Sequence, residues 1–138
     1  MKIIGTTELV DFPEIGLHGV KAKVDTGAQT SAIDVRQLKL VERDGRKVLS
    51  CKLIHPKNPV VEFTNYTIRT VKSSNGISED RYVVKLVIQL FNKKYKAEFT
   101  LANRKSMTYP VLLGKRLLSG KFLVDVSKKN LSASTKSN

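Results

Sequence analysis

Ala22-Lys23-Val24-Asp25-Thr26-Gly27-Ala28 is a half-apolar approach that stops abruptly at a carboxylate, a hydroxyl and a glycine. Val20, Ala22 and Val24 alternate with Lys21 and Lys23, the period-two pattern of a strand with one buried face. The pattern ends at Asp25. Thr26 and Gly27 can turn the backbone so that amide N–H groups and the Thr hydroxyl face the carboxylate, and a carboxylate held by donors keeps a defined orientation. Glycine suits this place because it accepts positive φ and close backbone approach. By itself the tripeptide is a weak signal, since three such residues after a strand most often make a plain turn.

A second stretch near the other end of the chain, Tyr109-Pro110-Val111-Leu112-Leu113-Gly114-Lys115-Arg116-Leu117-Leu118, raises the specificity of the first. Together the two resemble the paired signature of retropepsin-like aspartic proteases. In that family a strand ending in Asp-Thr/Ser-Gly-Ala lies beside a strand ending in two hydrophobic residues and a glycine, followed by a short helix. Val24 to Ile33 matches the first half and Val111 to Leu118 the second. The chain is also similar to one branch of that family, the small bacterial proteins labelled ATP-dependent zinc proteases, which include the RimB-like peptidases. That resemblance rests on Lys21 to Ala28, Val71 to Gly76 with Arg81 to Val84, Ala102 to Met107, and Gly120 to Asp125.

The resemblance implies Asp25 as the catalytic carboxylate, with Thr26 and Gly27 beside it. Lys23, Ala28, Asn75, Arg81, Arg104 and Arg116 are the expected substrate contacts, and Leu112, Leu113 and Gly114 the structural support. Aspartic peptidases work with two carboxylates that share one proton, because close like charges cannot both ionise. Only one Asp-Thr-Gly is present; Asp34, Asp80 and Asp125 stand in other settings. A two-fold homodimer placing two copies of Asp25 across the axis is the simplest remedy. Lys23, two residues before Asp25, lies on the same side of the strand by period two, where a cation opposes the shared-proton state unless it points to solvent. Arginine forks grip carboxylates bidentately, and the expected site lean of Arg81 and Arg104 follows from that chemistry. Lys105 and Lys115 read as solvated charges. Asp125 reads as a structural partner for a basic group.

The surrounding chain reads as short strands. Residues 2 to 10 form an opening strand interrupted at Gly5, Ser31 to Val35 a short strand, and Leu38 to Arg43 with Arg46 to Ile54 a hairpin about Asp44-Gly45. Val60 to Val71 is extended and ends in the polar turn Ser73-Ser74-Asn75-Gly76. Tyr82 to Leu90 and Tyr95 to Leu101 alternate strictly and make the clearest hairpin. Gly114 to Ser119 is a short helical turn and Lys121 to Val126 a closing strand. The expected class is all-β: a small closed or nearly closed β-barrel with one short C-terminal helix, which is also what the resemblance implies. Residues 1–127 form its domain, and 128–138 are expected as a disordered Ser/Lys-rich tail.

The 138 residues suit one domain. Lys and Arg number 25 against 12 Asp and Glu, a net charge of +13 that attracts polyanions through the summed field. Acidic peptide or a glutamylated protein is the expected substrate. The resemblance adds glutamate tails on a ribosomal protein as target and an ATP-grasp glutamate ligase as pathway partner. A noncatalytic basic module contacting ribosome or nucleic acid is the alternative, less favoured because neither a helix-turn-helix pattern nor an aromatic-rich ribonucleoprotein motif is evident. No cofactor is expected. Metal is not expected either: Cys51-x-x-x-His55 and His18 supply too few ligands for zinc and no His-Glu-x-x-His occurs. A Walker-type phosphate loop is also missing, so any ATP dependence would come from a partner. The single Cys51, the lack of a signal-peptide pattern and the lack of a membrane-length apolar run give a cytoplasmic expectation with no membrane partner.

Overall fold

The computed structural model describes residues 1–72 and 75–132. Ser73 and Ser74 of the expected polar turn, and residues 133–138 of the expected tail, lie outside the described residues.

Among the described residues the strands are β1 (Lys2–Ile4), β2 (Thr7–Phe12), β3 (Leu17–Val24), β4 (Ser31–Arg43), β5 (Arg46–Leu53), β6 (Val61–Phe63), β7 (Thr67–Lys72), β8 (Ser78–Leu90), β9 (Lys93–Ala102), β10 (Val111–Leu113) and β11 (Phe122–Val124), with one α-helix, α1 (Lys115–Leu118). Alternation in β8 and β9 is expressed as one apolar face: Val84, Leu86, Ile88, Leu90 and Phe99 are buried while Lys85, Lys94 and Lys96 stay exposed. Phe12 meets Phe99 edge-on, ring centroids 5.5 Å apart, and joins β2 to β9 across the core. Asp44-Gly45 makes the expected tight turn, both residues at positive φ. The turn between β8 and β9 falls at Phe91-Asn92 instead of Asn92-Lys93, again with both residues at positive φ. The two strands expected from Ser31 to Arg43 are one, bent by a register shift between Arg36 and Lys39.

A closed or nearly closed barrel is not what forms. The larger sheet runs β10-β3-β2-β8-β9-β4-β5-β6, with β7 paired only to β8, and leaves free edges at β6 and β7. β2 and β8 share a single register pair, Asp11 with Gln89, and β10 touches β4 through only two, Val111 with Ile33 and Leu112 with Ala32. Two such short joints do not make a continuous ladder, so the sheet fails to close. A separate parallel pair, β1 with β11, stands outside it. Alternation tells which face of each strand is buried; it carries no information on whether the outermost strands meet.

Residues 128 to 132, assigned to a tail from their polar composition, are held against β2. Lys128 O accepts from Thr6 N at 2.8 Å, and Asn130 N donates to Thr7 O at 2.8 Å. Ser132 is fully buried, and both its N and Oγ donate to the buried Glu8 Oε1 at 2.8 Å. These contacts use backbone groups and one buried carboxylate, and a Ser/Lys-rich composition gives no sign of them.

Candidate active site

β3 delivers Asp25, and β10 fixes where it ends. β10 runs parallel to β3, pairing Val111 with Ala22, Leu112 with Lys23 and Leu113 with Val24. One step further the Asp25 amide donates to Leu113 O at 2.9 Å, so the reactive residue is hung on the last residue of β10. Val24 N donates to Thr6 O at 2.9 Å on the other side. Two distant apolar runs therefore determine the position of one acid.

The loop after Asp25 is closed by backbone bonds. Ala28 N donates to Asp25 O at 2.9 Å, Lys115 N to Ala28 O at 2.7 Å and Arg116 N to Gln29 O at 3.1 Å. Gly114, between β10 and α1, passes so near this loop that a Cβ would lie 2.7 Å from Thr30 C and 2.8 Å from Ala28 O. No side chain fits there, and the buried Gly114 amide instead donates to Ser31 Oγ at 2.9 Å. Leu112 is half-buried and Leu113 fully buried, consistent with structural support.

Asp25 is half-buried, and its Oδ1 accepts from the Gly27 amide at 3.0 Å. That donor was expected; the positive φ was not needed. Gly27 lies outside the left-handed region, and a Cβ there would meet only Asp25 Oδ1, at 3.3 Å. Glycine is useful here for access to the carboxylate. Thr26 is exposed and does not bond Asp25 within the chain; its side lines an open concavity of about 440 Å³ with Gln29, Leu118 and Phe122. Asp25 does not line that concavity, so the space beside α1 and β11 is distinct from the carboxylate's own surroundings. Lys23 is exposed and makes no ion pair among the described residues.

Two arginine arrangements flank the acid. Arg104 N donates to Asp34 Oδ1 at 2.7 Å and its Nε to Tyr109 O at 3.0 Å, while the fully buried Asp34 also takes Nε and Nη2 of Arg36, both at 3.0 Å. Burial lowers the Arg104 pKa, Asp34 opposes that shift, Arg81 reinforces it, and Asp25 opposes it. Arg81 and Asp25 thus both lie within electrostatic reach of Arg104. Arg81 reaches Glu79 at 3.6 Å, and its Nε is buried with no acceptor.

Arg69, a residue to which no role attaches in the sequence, donates through Nη1 to Thr30 Oγ1 at 3.2 Å and through Nη2 to Glu98 Oε1 at 3.1 Å. Arg116 Nη1 reaches the same Glu98 oxygen at 3.2 Å. Arg116 is therefore engaged by an internal acid through Nη1. Asn75 is exposed in the turn before β8, its Oδ1 accepting from Ile77 N at 3.2 Å. Ala28 is half-buried beside Lys115. Arg69 and Glu98 could have been found only by pairing strands; each is an ordinary charged residue in an alternating run.

Among the described residues no group of three His, Cys, Asp or Glu is placed to hold a metal. His55 Nδ1 accepts from Lys57 N at 3.0 Å, and Cys51 is buried, its thiol pushed up to about 11 by burial. Asp125 is met first by Ser127, whose Oγ and N donate to Oδ1 at 2.6 and 3.0 Å; these bonds lower its pKa, and the charge of Lys128 adds to the shift. No helix among the described residues is long and apolar enough to cross a membrane.

A strand-borne Asp-Thr-Gly hung on an apolar strand that ends in a buried glycine defines the retropepsin-like class. Residues 3–135 match the model of the RimB-like family, described as retropepsin-like aspartic endopeptidase RimB, and the chain belongs to that family. Its chemistry is that of an aspartic-type peptidase. The chain is 41% identical over 132 residues to a Shewanella pealeana protein named "Probable alpha-L-glutamate ligase", covering 91% of this chain and 29% of that protein. A Desulfotalea psychrophila protein of the same name is 36% identical over 130 residues, covering 90% of this chain and 28% of the relative. The chain thus spans less than a third of these relatives. Among solved structures, Lpg0085 of Legionella pneumophila, a protein of unknown function, is 26% identical with a TM-score of 0.75, covering 95% of this chain and 98% of that one.

Proposed function

We propose that Asp25 activates water against a peptide bond in an acidic substrate, paired with Asp25 of a second copy across a two-fold axis. What carries the reading is the suspension of Asp25 from Leu113 O, with Gly114 threaded against the following loop. It presents a half-buried carboxylate with one side bonded by Gly27 and the other open to a partner. A single carboxylate cannot share a proton with itself; a symmetric dimer supplies the second acid without further sequence. Thr26, exposed and unbonded to Asp25 of its own chain, suits a contact across that axis.

Arg81 and Arg104 support the acidic substrate. One holds a buried donor without acceptor, and the other is fixed through its backbone and Nε, so both favour an incoming carboxylate. The naming of the relatives as glutamate ligases favours glutamate-rich segments and a ligase working on the same chemistry as pathway partner; glutamate tails on a ribosomal protein are the target that the family resemblance implies. The net charge of +13 draws such a segment from solution.

Asp25→Asn is expected to cut hydrolysis of an oligoglutamate peptide by about a thousandfold or more while circular dichroism and melting stay as in the parent. Sedimentation under assay conditions should give the mass of two chains. Unchanged turnover in the variant would remove Asp25 from the reaction, and an active monomer would end the paired-acid mechanism. Salt-sensitive RNA binding without peptide cleavage at any pH would favour the basic binding module.

A further inference from the structure

We infer that Glu98 is a positioning residue for the Asp25 loop, acting through Arg69 and Arg116. This rests on the reading of Asp25 given above. The geometry is a three-way junction on one oxygen. Glu98 Oε1 accepts from Arg69 of β7 at 3.1 Å and from Arg116 of α1 at 3.2 Å. Each arginine also touches the loop. Arg69 Nη1 donates to Thr30 Oγ1 at 3.2 Å, and the Arg116 amide donates to Gln29 O at 3.1 Å. One carboxylate on β9 thereby fixes two successive residues of the loop that Asp25 begins.

Charge arithmetic explains why the carboxylate is required. Arg69 and Arg81 stand directly opposite in the β7–β8 register, a like-charge cross-strand pair that is unfavourable unless one member is drawn away. Glu98 draws Arg69 toward the loop. Arg81 is left with the exposed Glu79 and a buried unpartnered Nε. Lys85, opposite Glu98 in the β8–β9 register, is exposed and makes no ion pair with it. Arg69 and Glu98 are each about one-third exposed, 34% and 31% of the side chain, and Arg116 is 55% exposed, so water screens the Arg116 arm more than the Arg69 arm. Without the negative charge, Arg69 is no longer held on Thr30, and the loop is tied only by its backbone bonds.

The test is Glu98→Gln in the full chain, read in two ways. Steady-state hydrolysis of oligoglutamate should show kcat lowered about tenfold to a hundredfold with KM changed less than about threefold, the signature of a misplaced reactive group. Arg69→Lys, which keeps the charge but not the fork, should lower kcat by a similar factor, and the Glu98→Gln/Arg69→Lys double variant should be no worse than either single one. Independently of any catalysis, amide hydrogen exchange at Ala28, Lys115 and Arg116 should be about tenfold faster in Glu98→Gln, with exchange in β8 unchanged. Parent-like exchange at those amides overturns the inference whether or not the chain cleaves peptide. So does an effect confined to KM, which would make the junction a substrate contact. Loss of peptide cleavage by the parent itself, with faster loop exchange in the variant, would sink the peptidase reading and leave the positioning role standing.

Discussion

The two sides of Asp25 are built in different ways. On one side β10, Gly114 and α1 grip the loop through main-chain groups: Asp25 to Leu113, Ala28 to Lys115 and Gln29 to Arg116. On the other, the β7–β8 arm reaches the loop through side chains alone, by Arg69 on Thr30 and Glu98. β7 is also a free edge, with Ile68 exposed. The first side has no tolerance for added atoms, since its clearances are set by backbone. The second can yield, since its contacts are long, charged and partly wet. The site therefore combines a fixed half that holds the acid with an adjustable half built from side chains.

Gly114→Ala tests the fixed half most severely. Its Cβ would enter within 2.9 Å of three backbone atoms, none of which can move without breaking the loop. The expected cost is about 3 kcal/mol or more by denaturant unfolding, with loss of activity in whatever folds. A variant of parent stability would mean that the crossing is looser than the contact distances allow.

Asp34→Asn comes next. The fully buried carboxylate serves Arg36 and the Arg104 amide, and losing its charge leaves Arg36 poorly paired. About 2 kcal/mol of destabilisation is expected from the loss of the Arg36 pair, with KM for acidic peptide changed less than about threefold, since the Asn Oδ1 still accepts from the Arg104 amide. A larger change in KM without a change in stability would break that expectation.

The smallest effect belongs to the adjustable half. Arg81→Lys should leave melting within a few degrees of the parent while raising KM for acidic peptides about threefold to tenfold and leaving a neutral peptide unaffected. Equal effects on both peptides would remove Arg81 from charge recognition and shift the comparison toward a purely structural arm.

Much of the fixed half was legible in the chain. Val20, Ala22 and Val24 announce a half-buried strand, and Val111-Leu112-Leu113-Gly114 announces the strand beside it, because apolar periodicity and the glycine that ends the run are read from local sequence; that a Cβ at Gly114 has no room is set by the distant Ala28 and Thr30. The adjustable half was only partly readable. Arg81 and Arg104 were picked out, yet Arg69 and Glu98 were not, since an arginine and a glutamate separated by 29 residues acquire meaning only when β7 and β9 are brought to the same loop. The internal acid of Arg116 is invisible along the chain for the same reason.

The chain by itself determined where strands run, which faces are buried, and which carboxylate ends the central approach, because these follow from periodicity and the conformational limits of individual residues. Only the tertiary structure decided that the sheet stays open, that residues 128–132 pack on β2, and that one glutamate serves two arginines. Closure and ion pairing depend on where distant segments come to rest in three dimensions, and no local pattern encodes that distance.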